Sequence, residues 1–151
     1  MKIPGLKLKF HIEQSSDLNA HVIKYNILSK LTDRKYVVDT VTNTGVAFGR
    51  KTFELVWNFE APFILDGGNF NILETEHGQL LILDYYIHTT SFIVIFLGAL
   101  TFSIANNDYA AILFFGGFIA VTGTIQFFIT KNVGKSLVND VLSENITNPE
   151  Y

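Results

Sequence analysis

Three residues that can carry acid–base chemistry, Asp84, Tyr86 and His88, lie close together in the sequence at the start of a long apolar run. The imidazole of His88 can serve as a general base near neutral pH, where it would face a lipid headgroup. Tyrosine and histidine are also ordinary anchors at a membrane surface, because their rings are amphipathic. No nucleophile or second base stands beside them. We therefore favour anchoring by Tyr85, Tyr86 and His88, and keep a lipid-binding or enzymatic site as the alternative.

No recognisable catalytic or metal-binding motif accompanies these residues. His11, His21 and His77 have no histidine or acid partner at a spacing typical of metal ligands, and we interpret them as surface residues. The glycine-containing segments 45–51 and 66–69 match neither common phosphate-binding pattern, so we interpret both as turns. The chain has no cysteine, which excludes disulfides and thiol catalysis. We expect neither a cofactor nor an enzymatic activity.

The overall charge narrows the class of partner. The formal net charge is −3 and the isoelectric point is near 5.7, and the cations are scattered among acids. A nucleic-acid-binding surface needs a basic stripe that can neutralise phosphates. We therefore exclude nucleic acid as a partner.

Two apolar runs without Lys, Arg, Asp or Glu, 85–105 and 110–130, dominate the C-terminal half of the chain. Each is about 20 residues long, and a helix of that length spans the roughly 30 Å of a hydrocarbon core. The connection from Asn106 to Tyr109 is polar and allows only a tight turn. The sequence therefore predicts a two-helix transmembrane hairpin, with both flanking segments on one side of the membrane.

The charges around the predicted hairpin indicate its orientation. Lys131 and Lys135 follow the second run, whereas the connection carries only Asp108, and lysines are enriched on the cytoplasmic side of membranes. No signal peptide is recognisable before the first run. We predict an integral protein of a bacterial inner membrane with cytoplasmic N- and C-termini. Tyr109, Lys131 and Lys135 would lie at the membrane interface, as would the aromatic residues that begin the hairpin.

Small residues recur on both predicted spans at intervals of three or four positions. Such residues let helices approach closely in a membrane, where the hydrophobic effect does not drive their association. They are Gly98, Thr101 and Ala105 on the first span, and Gly116, Ala120 and Thr124 on the second. We expect the two helices of the hairpin to pack along these residues. The alternative is a contact with another subunit.

Residues 1–84 predict an α+β soluble domain, with one helix packed on an antiparallel sheet. Leu6 to Glu13 alternates apolar and polar residues with the period of a half-buried strand, and a helical pattern runs from Asp17 to Thr32. Further strands are predicted at 36–41, 46–48, 52–59, 70–74 and 79–84. After the hairpin, residues 131–151 predict a short amphipathic cytoplasmic tail.

These features favour a small membrane-anchored interaction protein, an accessory or regulatory subunit whose hairpin docks on a larger membrane complex. The absence of an assembled catalytic site supports this interpretation, as does the direct junction between the last predicted strand and the first span. The expected partners are the lipid bilayer and a membrane protein. One alternative is a homo-oligomeric membrane scaffold. The other is a membrane-surface lipid-binding module or enzyme that uses Asp84, Tyr86 and His88.

Overall fold

The computed structural model describes residues 6–50, 65–76, 78–106 and 109–143. In chain order its elements are β1 (Lys7–Ser16), α1 (Ala20–Asp33), β2 (Val37–Val41), β3 (Gly45–Gly49), β4 (Gly67–Thr75), β5 (Gly78–His88), α2 (Thr90–Ala105) and α3 (Tyr109–Ser143). The five strands form one antiparallel sheet in the order β1-β5-β4-β3-β2. The strand predicted at 52–59 lies outside the described residues, as do His77 and Asp108.

Strand β1 is longer than its alternating pattern predicts, because it pairs with β5 over its whole length. The register runs from Lys7 opposite His88 to Ser16 opposite Gln79 without a shift. Phe10 and Ile12 are partly buried against the core on the side of the helices, as the period of a strand requires. Paired residues on β1 and β5 therefore share a face of the sheet.

Helix α1 begins at Ala20 rather than at Asp17, because β1 runs to Ser16 and the chain then turns before the helix. Asn19 is the N-cap, and its side-chain oxygen accepts a hydrogen bond from the His21 backbone N–H at 3.0 Å. The apolar face of α1 is fully buried. The helix ends at Asp33, and Lys35 then adopts a left-handed backbone conformation with φ of 60°, which turns the chain into β2.

The hydrophobic core lies between one face of the sheet and two helices. Helix α1 contributes Ile23, Ile27 and Leu31, and the C-terminal part of α3 contributes Leu137, Val138 and Val141, all of them fully buried. The sheet contributes Val46, Phe48, Phe70, Ile72, Leu81, Leu83 and Tyr85. The sheet is therefore covered by two helices and not by the single helix that the sequence predicts.

The predicted two-helix transmembrane hairpin is wrong. Strand β5 continues through His88, because β1 supplies backbone partners up to Lys7, and the residues predicted to begin the first span are therefore strand. Helix α2 has 16 residues, which gives it a length of about 24 Å, short of the roughly 30 Å of a hydrocarbon core. Among the described residues only α3, over Ile112–Ser143, is long and apolar enough to cross a membrane, judged by length and composition.

Helix α3 does not stop at the end of its apolar run. It continues without interruption over 35 residues, so the predicted boundary between a span and a tail at residue 130 falls inside one helix. The apolar stripe that follows, at Leu137, Val138 and Val141, enters the core of the sheet domain. The same helix is therefore apolar and exposed in its first half and part of a protein core in its second.

Candidate functional site

The alternation of β5 separates the residues at which the sequence indicates chemistry. Asp84, Tyr86 and His88 lie on the face of the sheet opposite α1 and α3, which we call the outer face. Tyr85 and Ile87 point to the helices and are buried. On β1, His11 is paired with Asp84, Lys9 with Tyr86 and Lys7 with His88. The outer face near the end of β5 therefore carries acids, aromatic rings and lysines together.

His11 is the centre of a polar cluster that the sequence analysis missed. Its Nδ1 lies 2.6 Å from Asp84 Oδ1, and its Nε2 lies 2.8 Å from Glu13 Oε1. Hydrogen bonds first to Asp84 and then to Glu13 raise the pKa of the imidazole above its ordinary value, because both favour the charged form. Asp84 is distant in the sequence. Only the register of β1 against β5 could have indicated this pair.

Tyr86 is held between a cation and a second ring. The Lys7 ammonium lies 3.9 Å from the centroid of the Tyr86 ring, and the His88 ring meets it edge-on with a centroid distance of 5.3 Å. The phenol end reaches across β4, where a Cβ added at Gly67 would lie 2.7 Å from the Tyr86 oxygen. Glycine at position 67 therefore makes room for this side chain.

His88 is tied to the chain segment that precedes β4. Its backbone N–H donates to Asp66 Oδ2 at 2.6 Å, and its Nδ1 lies 3.4 Å from the same oxygen. Asp66 therefore fixes the last residue of β5 and orients its ring. Asp84 bonds to a different histidine, His11. The three residues Asp84, Tyr86 and His88 share a face but do not form one catalytic group.

An open depression of about 420 Å³ lies beside this cluster. It is lined by Lys9, Phe10, Gly68, Asn69, Asp84, Tyr85 and Tyr86. The polar groups that line it can donate and accept hydrogen bonds. No group of three or more His, Asp or Glu side chains suited to hold a metal ion occurs in the described ranges. The arrangement can bind a polar group but does not assemble a nucleophile with its base.

Tyr85, which the sequence placed among the surface anchors, is 2 % exposed and belongs to the core. Its ring stacks on Phe10 at a centroid distance of 5.0 Å, and Phe10 in turn contacts Phe127 of α3 at 5.4 Å. Burial raises the pKa of the Tyr85 phenol to about 12. The remaining predicted interface residues lie on α3, where Tyr109 is its first residue and both Lys131 and Lys135 are exposed.

Two of the predicted small residues, Gly98 and Gly116, have open space where a helix contact was expected. A Cβ added at Gly98 or Gly116 would meet no heavy atom within 4 Å. The residues Thr101, Ala105, Ala120 and Thr124 are exposed. The hydroxyls of Thr101 and Thr124 donate to carbonyls of their own helices, at 2.6 Å to Leu97 and 2.8 Å to Ala120. Helices α2 and α3 lie against each other, but Gly98 and Gly116 take no part in this contact. Packing along the other four small residues, within this pair or with another subunit, stays a prediction.

No protein-family model, no curated protein and no solved structure matches this chain.

Proposed function

We propose that this chain is a membrane-anchored interaction protein, an accessory or regulatory subunit of a larger membrane complex. In this proposal α3 anchors the chain in the bilayer, and the sheet domain lies against the cytoplasmic surface of a bacterial inner membrane. The partner contacts the exposed apolar surface of α2 and α3.

The apolar surface of the two helices supports a membrane environment. Large apolar side chains on it are between 36 % and 80 % exposed. They are Ile93, Val94, Ile95, Leu97, Phe102, Ile104, Leu113, Phe114, Phe115, Phe118, Val121, Ile125, Phe127 and Phe128. Soluble monomers rarely expose contiguous apolar patches beyond a few hundred Å², and larger ones mark membrane or protein contacts. Lipid and a membrane partner are the environments that fit this composition.

The observation that carries the proposal is the rigid connection between this surface and the sheet domain. Besides its core contacts, α3 is tied to α1 by an ion pair between Arg34 and Asp140. A buried hydrogen bond at 2.8 Å joins the Asn26 side-chain amide to the Val141 carbonyl. A contact made by the apolar half of α3 therefore fixes the position of the sheet domain as well. Such a connection suits a subunit that holds a cytoplasmic domain beside a membrane partner.

The test is to extract the full chain at native expression in a mild detergent, size the complex and identify its contents. We expect a stoichiometric second membrane protein. A matched pair of variants locates the contact: Phe118→Ala lies on the exposed apolar surface, whereas Leu73→Ala is exposed on the sheet. Only the first should weaken co-purification. A monomer with no co-purifying protein would contradict the proposal.

A homo-oligomeric scaffold is the second candidate, because the small residues of α3 are free to meet another helix. The open space beside Gly116 and the exposure of Ala120 are the observations that favour it. Replacing both residues by leucine should then dissociate the oligomer in detergent. An oligomer of unchanged size would count against this candidate, as would a complex that contains only a foreign partner.

A further inference from the structure

The charges of the sheet domain are separated along its strands. We call the end where β5 runs into α2 the helix end. By the register, Lys7 and Lys9 lie there opposite His88 and Tyr86. Val37 lies there opposite Gly49, so Lys35 and Arg50 flank the same end. At the other end lie Asp17, Glu74 and Glu76, beside the β4–β5 turn. The helix end is therefore basic and the far end acidic.

Helix α3 adds two more cations to the helix end. Lys131 and Lys135 flank Gly134, which contacts the ring of Tyr85. Both lysines are exposed. They lie on the helix side of the sheet, whereas Lys7 and Lys9 lie on its outer face. The cations therefore surround this end from both sides.

Three acids near the helix end are engaged by other groups. Asp66 binds His88, Asp84 binds His11, and Asp140 binds Arg34. Within the described ranges no carboxylate lies within 4.0 Å of the cations Lys7, Lys9, Lys35, Arg50, Lys131 or Lys135. All six are exposed. Their positive charge is therefore not neutralised by a described carboxylate, and this includes Lys7, whose ammonium contacts the Tyr86 ring.

Apolar side chains accompany these cations. Leu6 is 65 % exposed and Leu8 is 38 % exposed, on either side of Lys7. Lysines next to exposed leucines suit a bilayer surface, where the stem and the leucine enter the headgroup region and the ammonium meets a phosphate. The apolar half of α3 leaves the domain at this same end.

We propose that the helix end binds anionic phospholipid headgroups in the leaflet beneath the sheet domain. This inference rests on the proposed anchoring of α3 in a bilayer. Each lysine near an anionic surface is worth about 1 kcal/mol, roughly a fivefold preference over a zwitterionic lipid. The free energy comes from the phosphate charge and requires no dedicated pocket. The ligand class is therefore anionic glycerophospholipid, with phosphatidylglycerol as the test lipid.

The experiment uses the full chain reconstituted in phosphatidylcholine bilayers, with spin-labelled phosphatidylglycerol or phosphatidylcholine as probe. We expect phosphatidylglycerol to associate several-fold more strongly, and 1 M salt to reduce this preference. The variants Lys7→Gln/Lys9→Gln and Lys131→Gln/Lys135→Gln should each lower this several-fold preference toward equal association of the two probes. Arginine at the same positions should retain it, which separates lost charge from lost folding. Lys24→Gln is the control. The Lys24 ammonium donates to the Thr42 carbonyl and does not belong to the six cations of the helix end.

Equal association of the two probes with the wild-type chain would overturn the inference, as would a preference that survives both double variants. Extraction by alkaline carbonate separates this result from failure of the proposed anchoring. A chain retained in the membrane without lipid preference overturns the inference alone. A chain released by carbonate overturns the anchoring and, with it, the inference.

Discussion

The ring of Tyr85 occupies the space in which a side chain at position 134 would begin. A Cβ added at Gly134 would lie 2.7 Å from Tyr85 Cε1 and closer still to the phenol carbon and oxygen. Tyr85 belongs to β5 and Gly134 to α3, so this contact sets the distance between the long helix and the sheet. This close contact depends on the absence of a side chain at Gly134 and not on a hydrogen bond.

Gly134→Ala should therefore destabilise the protein, although alanine is normally the better helix residue by about 1 kcal/mol. Overpacking of a close contact costs about 1–3 kcal/mol, which outweighs that gain. Thermal unfolding of the detergent-solubilised chain, followed by circular dichroism, measures the difference. Gly123→Ala is the control, because a Cβ there meets nothing within 4 Å. Equal stability of the two variants would show that Tyr85 moves aside freely.

Tyr85→Phe should leave the stability at neutral pH unchanged or slightly higher. The ring keeps its stacking on Phe10, and the lost hydroxyl is buried without a hydrogen-bond partner in the part of the chain that the structure describes. The folded-state pKa of the Tyr85 phenol, about 12, exceeds the ordinary value of 10. Its contribution to the free energy of unfolding is therefore complete below pH 10 and is lost as the pH rises toward 12. The variant should lose less stability over that interval than the wild type. An equal loss of stability in the variant and the wild type would contradict a raised pKa at Tyr85.

The pKa of His11 should fall in Asp84→Asn and, to a smaller extent, in Glu13→Gln, because each variant removes an acceptor that favours the imidazolium. The folded-state pKa is the raised one. The associated stabilisation is therefore present below the ordinary pKa of about 6.5 and is lost as the pH rises through the folded value. Titration of the His11 ring signals by nuclear magnetic resonance measures the pKa directly. The ring signals of His21 are the internal reference. A His11 pKa that is unchanged in both variants would contradict its hydrogen bonds to Asp84 and Glu13.

Leu137→Ala should cost far more stability than Asp140→Asn, although both residues connect α3 to the domain. Leu137 is fully buried, and truncation of such a leucine costs about 2–5 kcal/mol. Arg34 and Asp140 are partly exposed, with 29 % and 42 % of their side chains accessible, so their ion pair contributes about 1 kcal/mol or less. Unfolding of both variants under one condition gives the comparison. Equal losses would mean that the ion pair is screened less than its exposure implies.

The sequence indicated local structure well where one face of an element is buried. The alternation around Phe10 predicted β1, and the amphipathic segment predicted after residue 130 contains Leu137, Val138 and Val141, which enter the core. The prediction from the sequence was wrong at Tyr85, where it began a transmembrane helix and the structure continues β5. The apolar and aromatic composition there fits a membrane helix and a buried strand equally. The hydrogen bonds offered by β1 decide between them, and they come from a segment distant in the chain. The pairing of His11 with Asp84 was hidden for the same reason.

A single residue, Thr89, separates β5 from α2. Its backbone N–H and its hydroxyl both bond to the Leu6 carbonyl, at 2.9 and 3.1 Å, so the joint is also fastened to the start of β1. A rotation of α2 about its axis must therefore carry two strands with it, while α3 is held in the core at its other end. Motion of α2 is therefore passed on to the ends of β1 and β5 through Thr89, because one residue and two hydrogen bonds make up this connection.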